Sequence, residues 1–99
     1  MTIGLAIKEI RKKNGVSQED LAKAAGITQA ALSQIENGRR PAEETLSKIS
    51  AALSTPEPLI YLMTLEKKDL PPAKAVLYDT LFPILKGLIF QLTDMKNLS

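Results

Sequence analysis

Apolar residues along this chain recur at spacings of three and four, and nowhere do they alternate with polar ones as a half-buried strand would require. Ile3, Ile7 and Ile10 share one helical face, and Leu46, Ile49 and Leu53 share another. Taken with the caps and breakers between them, the pattern predicts helices over 3–13, 17–25, 28–37, 43–53, 57–66 and 71–94, and so an all-α fold. The stretch SQEDLAKAAGITQAALSQIEN, residues 17–37, carries the most information. Gly15 can end one helix and Ser17 can cap the next, with Val16 and Leu21 placed as a hydrophobic staple. Gly26 can take the positive φ of a sharp turn, after which Ile27, Thr28 and Leu32 repeat the staple-and-cap pattern. Ala22 is small enough to let the two helices cross closely, and Leu32 and Ile35 lie on the inner face of the second. Two short helices crossed about one glycine form a helix-turn-helix.

From Ile3 to Leu53 the segments IGLAIKEIR, GVSQEDLA, GITQAALSQIENGRRP and TLSKISAAL resemble, in order and spacing, the Xre/Cro/C1-type DNA-binding domains of bacteria and phages. Gln18, Ala22, Gly26, Leu32, Ile35, Asn37 and Gly38 agree with that pattern together, and the likeness extends to about residue 65. The resemblance implies a lambda-repressor-like five-helix bundle over residues 1–66. It implies a transcriptional regulator, typically a dimeric repressor, that places one recognition helix in each half-site of a double-stranded DNA operator. Many members carry a Ser or Thr cap after the proline that here is Pro41. Ala42 departs from this, and the following helix is expected to start slightly frayed.

A recognition helix starting at Thr28 exposes its first turn and the face through Gln29, Ala30, Ser33 and Gln34, because Ala31, Leu32 and Ile35 turn inward. A Gln amide can bond N6 and N7 of adenine, and an Ala methyl can touch that of thymine. By resemblance Gln29, Ala30 and Gln34 hold the main base-reading positions, with Thr28 and Ser33 within reach of bases or phosphates, and Gln18 holds a phosphate. Asn37, Arg39 and Arg40 in the loop after the helix are expected on the backbone, where contacts set register rather than sequence preference. The resemblance also pairs Arg11 with Glu36 as a mainly structural ion pair, with Arg11 additionally aimed at a phosphate. Lys8, Lys12 and Lys13 are read as a solvated face with long-range attraction for DNA.

Composition narrows the rest. The net charge is only +2, but residues 1–54 hold eight Lys or Arg against six Asp or Glu while residues 55–99 hold five of each, so the excess lies entirely in the first half. The chain has neither Cys nor His. No thiolate or imidazole metal site or disulfide framework can be assembled, and because the acidic residues fall mainly on solvated helix faces or at helix starts no nucleophile–base pair or metal cluster emerges, so neither an enzyme nor a cofactor is expected. The N-terminus has no basic-then-apolar leader, which points to the cytoplasm.

Residues 67–99 read as a helical extension and dimerisation element. Leu77, Leu81, Ile84, Leu85, Leu88, Leu92 and Met95 make a broad stripe, widened by Val76, Phe82, Ile89 and Phe90. Pro83 is expected to kink the helix, and Gly87 to allow close approach of another. The run Leu81 to Leu92 is interrupted and shorter than the ~20 residues of a membrane span, so no membrane anchor is expected. A homodimer seam through Leu81, Leu85, Leu88 and Leu92 is the leading use of the apolar excess. Packing of the segment over its own bundle is the alternative. In an antitoxin-like or adaptor reading, the same helix would instead grip a protein partner.

Overall fold

The computed structural model describes residues 1–94; Met95, assigned above to the apolar stripe, lies outside them. Among the described residues the order is α1 (Ile3–Lys13), α2 (Gln18–Ala25), α3 (Gln29–Glu36), α4 (Glu43–Ala52), α5 (Glu57–Leu62) and α6 (Ala75–Leu92), with two 3-10 turns, Lys67–Asp69 and Pro72–Lys74, before α6. The fold is all-helical, a lambda-repressor-like bundle with an added C-terminal helix. Two boundaries differ from expectation. Helix α5 stops at Leu62 because Thr64 N–H and Leu65 N–H bond carbonyls three residues back, at 2.9 and 3.2 Å, and the Thr64 hydroxyl donates to Tyr61 O as well. Pro71 and Pro72 hold the approach to α6 in a 3-10 turn, so the α-helix begins only at Ala75.

Helix α1 packs on α3 and α5, α2 on α3 and α4, and α4 on α5. Their inward faces supply one core: Ile7 and Ile10 meet Leu21, Leu32, Ile49, Leu53 and Ile60, all buried. Gly4 lets α1 lie directly against the end of α3, since a Cβ there would stand 1.8 Å from the Ile35 carbonyl oxygen.

Helix α6 runs unbroken through Pro83 and presents two apolar faces. The inner one puts Ile89 into the same core, with Leu85 and Phe90 packed against it. Asn14 Nδ2 donates to Thr93 O at 3.1 Å, and Lys86 Nζ pairs with the Glu9 carboxylate at 3.0 Å. Farther up, the Tyr78 ring stacks on Phe82 and its hydroxyl donates to Leu65 O at 2.9 Å. The outer face leaves Leu77, Leu81, Ile84, Leu88 and Leu92 at least half exposed.

Pro72–Leu92 is, contrary to the length argument from sequence, long and apolar enough to cross a membrane. Ile89 in the core and Lys86 on Glu9 of α1 nonetheless tie the helix to the bundle, and pulling it into lipid would break both contacts.

Candidate nucleic-acid interface

Each helix of the α2–α3 pair is capped by its own sequence. Ser17 Oγ accepts from Asp20 N–H at 3.0 Å, and Thr28 Oγ1 accepts from Ala31 N–H at 3.0 Å. Between them Gly26 takes φ +70°, and Ile27 N–H reaches back to Ala22 O at 3.0 Å, closing α2 so that α3 can turn across it. Leu32 and Ile35 anchor α3 in the core. Thr28, Gln29, Ala30 and Gln34 face solvent on one side of α3, with Ser33 half-buried beside them.

A chain of polar contacts runs from the interior to that surface. Glu36 is 3% exposed and Arg11 7%, and the two form a bidentate pair: Arg11 Nε donates to Oε2 at 2.8 Å and Nη2 to Oε1 at 2.9 Å. Arg11 Nη1 donates to Val16 O at 2.9 Å, so one side chain braces α1, the loop before α2, and the end of α3. Gln18 Nε2 also donates to Glu36 Oε1, at 3.1 Å, and Gln29 Nε2 approaches Gln18 Oε1 at 3.5 Å. Arg11 is thus buried, whereas the other residues assigned to phosphates differ in setting: Gln18 is half-buried and Asn37, Arg39 and Arg40 are exposed.

One contact was not foreseen from the sequence. Arg39 Nη1 donates to Gln34 Oε1 at 2.6 Å, joining a base-face residue to a loop cation. Residues five apart are not neighbours on a helix, so spacing gives no hint of it. Gly38, at φ +116°, reverses the chain after α3 and brings Arg39 N–H back to Gln34 O at 3.0 Å. The Arg39 guanidinium thus engages the oxygen of the Gln34 amide. The α4 start has no such help: Ala42 occupies its cap position and makes no side-chain bond, while Glu43 and Glu44 fill the first turn.

Comparison with known proteins agrees with this geometry. The helix-turn-helix family model matches residues 7–60. The "ImmF control region 10 kDa protein" of Bacillus phage phi105 is 42% identical over 53 residues, covering 52% of this chain and 59% of that protein. The "Uncharacterized HTH-type transcriptional regulator RghRB" of Bacillus subtilis (strain 168) is 36% identical over 55 residues, 54% of this chain and 40% of that protein. This chain therefore covers little more than half of the first relative's length and less than half of the second's. No solved structure matches. With more than half its length in the family's match and two capped helices crossed at Gly26, the chain belongs to the helix-turn-helix family of Xre/Cro/C1 type.

Proposed function

We propose that this protein is a sequence-specific, double-stranded-DNA-binding transcriptional regulator that acts as a dimeric repressor by occluding a promoter. The observation that carries this reading is the exposed row Thr28, Gln29, Ala30 and Gln34 on a helix whose opposite face is locked into the core. Such a helix enters the major groove, where Gln29 and Gln34 meet base edges and Ala30 meets a thymine methyl. Ser33 reaches the same groove from its half-buried position. Gln18, Asn37, Arg39 and Arg40 contact the phosphates flanking it, and Arg39 holds Gln34 while doing so. Arg11 serves from inside, holding Glu36 and through it Gln18. Residues 1–66 form the DNA-binding part, and residues 67–99 pair two copies so that the recognition helices meet successive turns of the duplex, ~34 Å apart.

The names of the two relatives, a phage control-region protein and a transcriptional regulator, support the regulatory assignment. A second reading, a docking helix for another protein, draws on the same exposed face of α6. Selection of bound duplexes from a random pool tests the first reading. Enrichment of an inverted repeat is expected, and Gln34→Ala should lower affinity for it about tenfold or more while leaving random duplex binding unchanged. Arg40→Ala should weaken both kinds of duplex and reduce the salt slope by about one. No enrichment, or a Gln34→Ala protein with unchanged preference, overturns the assignment.

A further inference from the structure

We infer that α6 pairs antiparallel with α6 of a second copy, the exposed leucines of each C-terminal half seating at the apolar groove beside the other's N-terminal half. This deepens the dimeric reading above and rests on it. The outer stripe is Leu77, Leu81, Ile84, Leu88 and Leu92, spaced four, three, four and four, which keeps it within a narrow arc of the helix. Leu85, half-buried between this stripe and the core, packs on the core and also lines the groove beside the stripe.

The stripe is close to symmetric about its own middle. An antiparallel twofold sets Leu77 against the partner's Leu92 and Leu81 against the partner's Leu88, with Ile84 beside the axis; the reciprocal contacts follow from the symmetry. The two halves differ in what surrounds them. Beside Leu77 and Leu81 lies a groove of about 360 Å³ whose other walls are Leu65, Leu70, Tyr78, Phe82 and Leu85. Leu88 and Leu92 lie outside it and are exposed at 52% and 64%. Antiparallel pairing brings knobs to holes at both ends, whereas parallel pairing sets groove beside groove and leaves both unfilled. The area is sufficient. Five side chains with roughly 100 Å² each remove about 1,000 Å² from water in a symmetric pair before the flanking residues are counted, which is the lower bound for a specific interface.

The chain has no cysteine, so introduced thiols report pairing without background. Full-length Leu81→Cys and Leu88→Cys proteins are oxidised separately and as a mixture, with Leu77→Cys and Leu92→Cys as a second set in case either substitution loosens the pair. Cross-linking in each mixture and little in either protein alone is expected, together with a dimer mass for the unaltered chain by light scattering. Self-linking of Leu77→Cys and Leu81→Cys as efficient as in the mixtures overturns the antiparallel order. A monomer mass, or recovery of the chain with sedimented phosphatidylcholine–phosphatidylglycerol vesicles, overturns the self-pairing. Duplex selection separates this from the functional reading: enrichment lost on Gln34→Ala with no cross-link sinks only the seam, and cross-links without enrichment sink only the DNA assignment.

Discussion

Replacing Gly4 by Ala sets two general effects against each other, and the structure decides between them. Helix propensity favours the change, by at most about 1 kcal/mol, and by less in the first turn of α1. Against it, the new Cβ would lie 1.8 Å from the Ile35 carbonyl oxygen, 2.7 Å from its carbon and 3.1 Å from Glu36 Cα. These are backbone atoms at the end of α3, so no rotamer change relieves the overlap. The helices must part by roughly 1.5 Å to restore ordinary contact, opening the packing between Ile7 of α1 and Leu32 and Ile35 of α3. Overpacking of this kind costs about 1–3 kcal/mol, here at the upper end because the blocking group is main chain. The net loss is then about 2 kcal/mol, a fall in Tm on the order of 10 °C for a domain of this size. Thermal and urea unfolding followed by circular dichroism measure it, with Leu5→Ala, at the exposed neighbouring position, as a control expected within about 0.5 kcal/mol of the parent. A Gly4→Ala protein as stable as the parent or more so would refute the argument, because propensity would then have outweighed the contact.

Other perturbations follow from the same structure. Arg11→Met leaves Glu36 buried without its bidentate partner and should cost about 3–5 kcal/mol in urea unfolding, a loss that Arg11→Met with Glu36→Leu together should largely recover. Ser17→Ala and Thr28→Ala each remove one cap and should lower stability by about 1 kcal/mol, whereas Ala42→Ser adds a cap where none exists and should raise it by about 0.5–1 kcal/mol. The Glu66 carboxyl is held below the ordinary glutamate range by the hydrogen bond from the Met1 ammonium and by the charge of Lys68. Its contribution is fully present above the unfolded pKa and disappears as pH falls through the lowered folded value. Carboxyl NMR should therefore find Glu66 titrating below the ordinary glutamate range, and Glu66→Gln should make the acid side of the stability profile shallower.

How much of this could be read beforehand depends on the distance over which each residue's meaning is set. Ser17, Gly26 and Thr28 act on backbone groups within a few residues of themselves, so caps and turn together placed α2 and α3 to within a residue at their starts. Gly4 acts on a carbonyl 31 positions away; as a glycine near a helix start it gave no sign of what it touches. The Gln34–Arg39 bond hangs on the chain reversal at Gly38, which spacing alone does not specify. Leu85 shows the same limit on α6. Viewed down the axis, at ~100° per residue, it lies between the arc of Leu77, Leu81, Ile84 and Leu88 and the arc of Ile89 and Thr93. A helix apolar on both arcs is ambiguous until something outside it chooses. Here Ile89 enters the core left by α1 to α5, and Thr93 receives the Asn14 amide. Those contacts bring Leu85 half onto the core, still lining the groove, and leave Leu81 and Leu88 outward. The face left for a second copy is thus determined by the bundle, through the rotation it imposes on α6, and a substitution at Ile89 should disturb self-pairing without touching the seam.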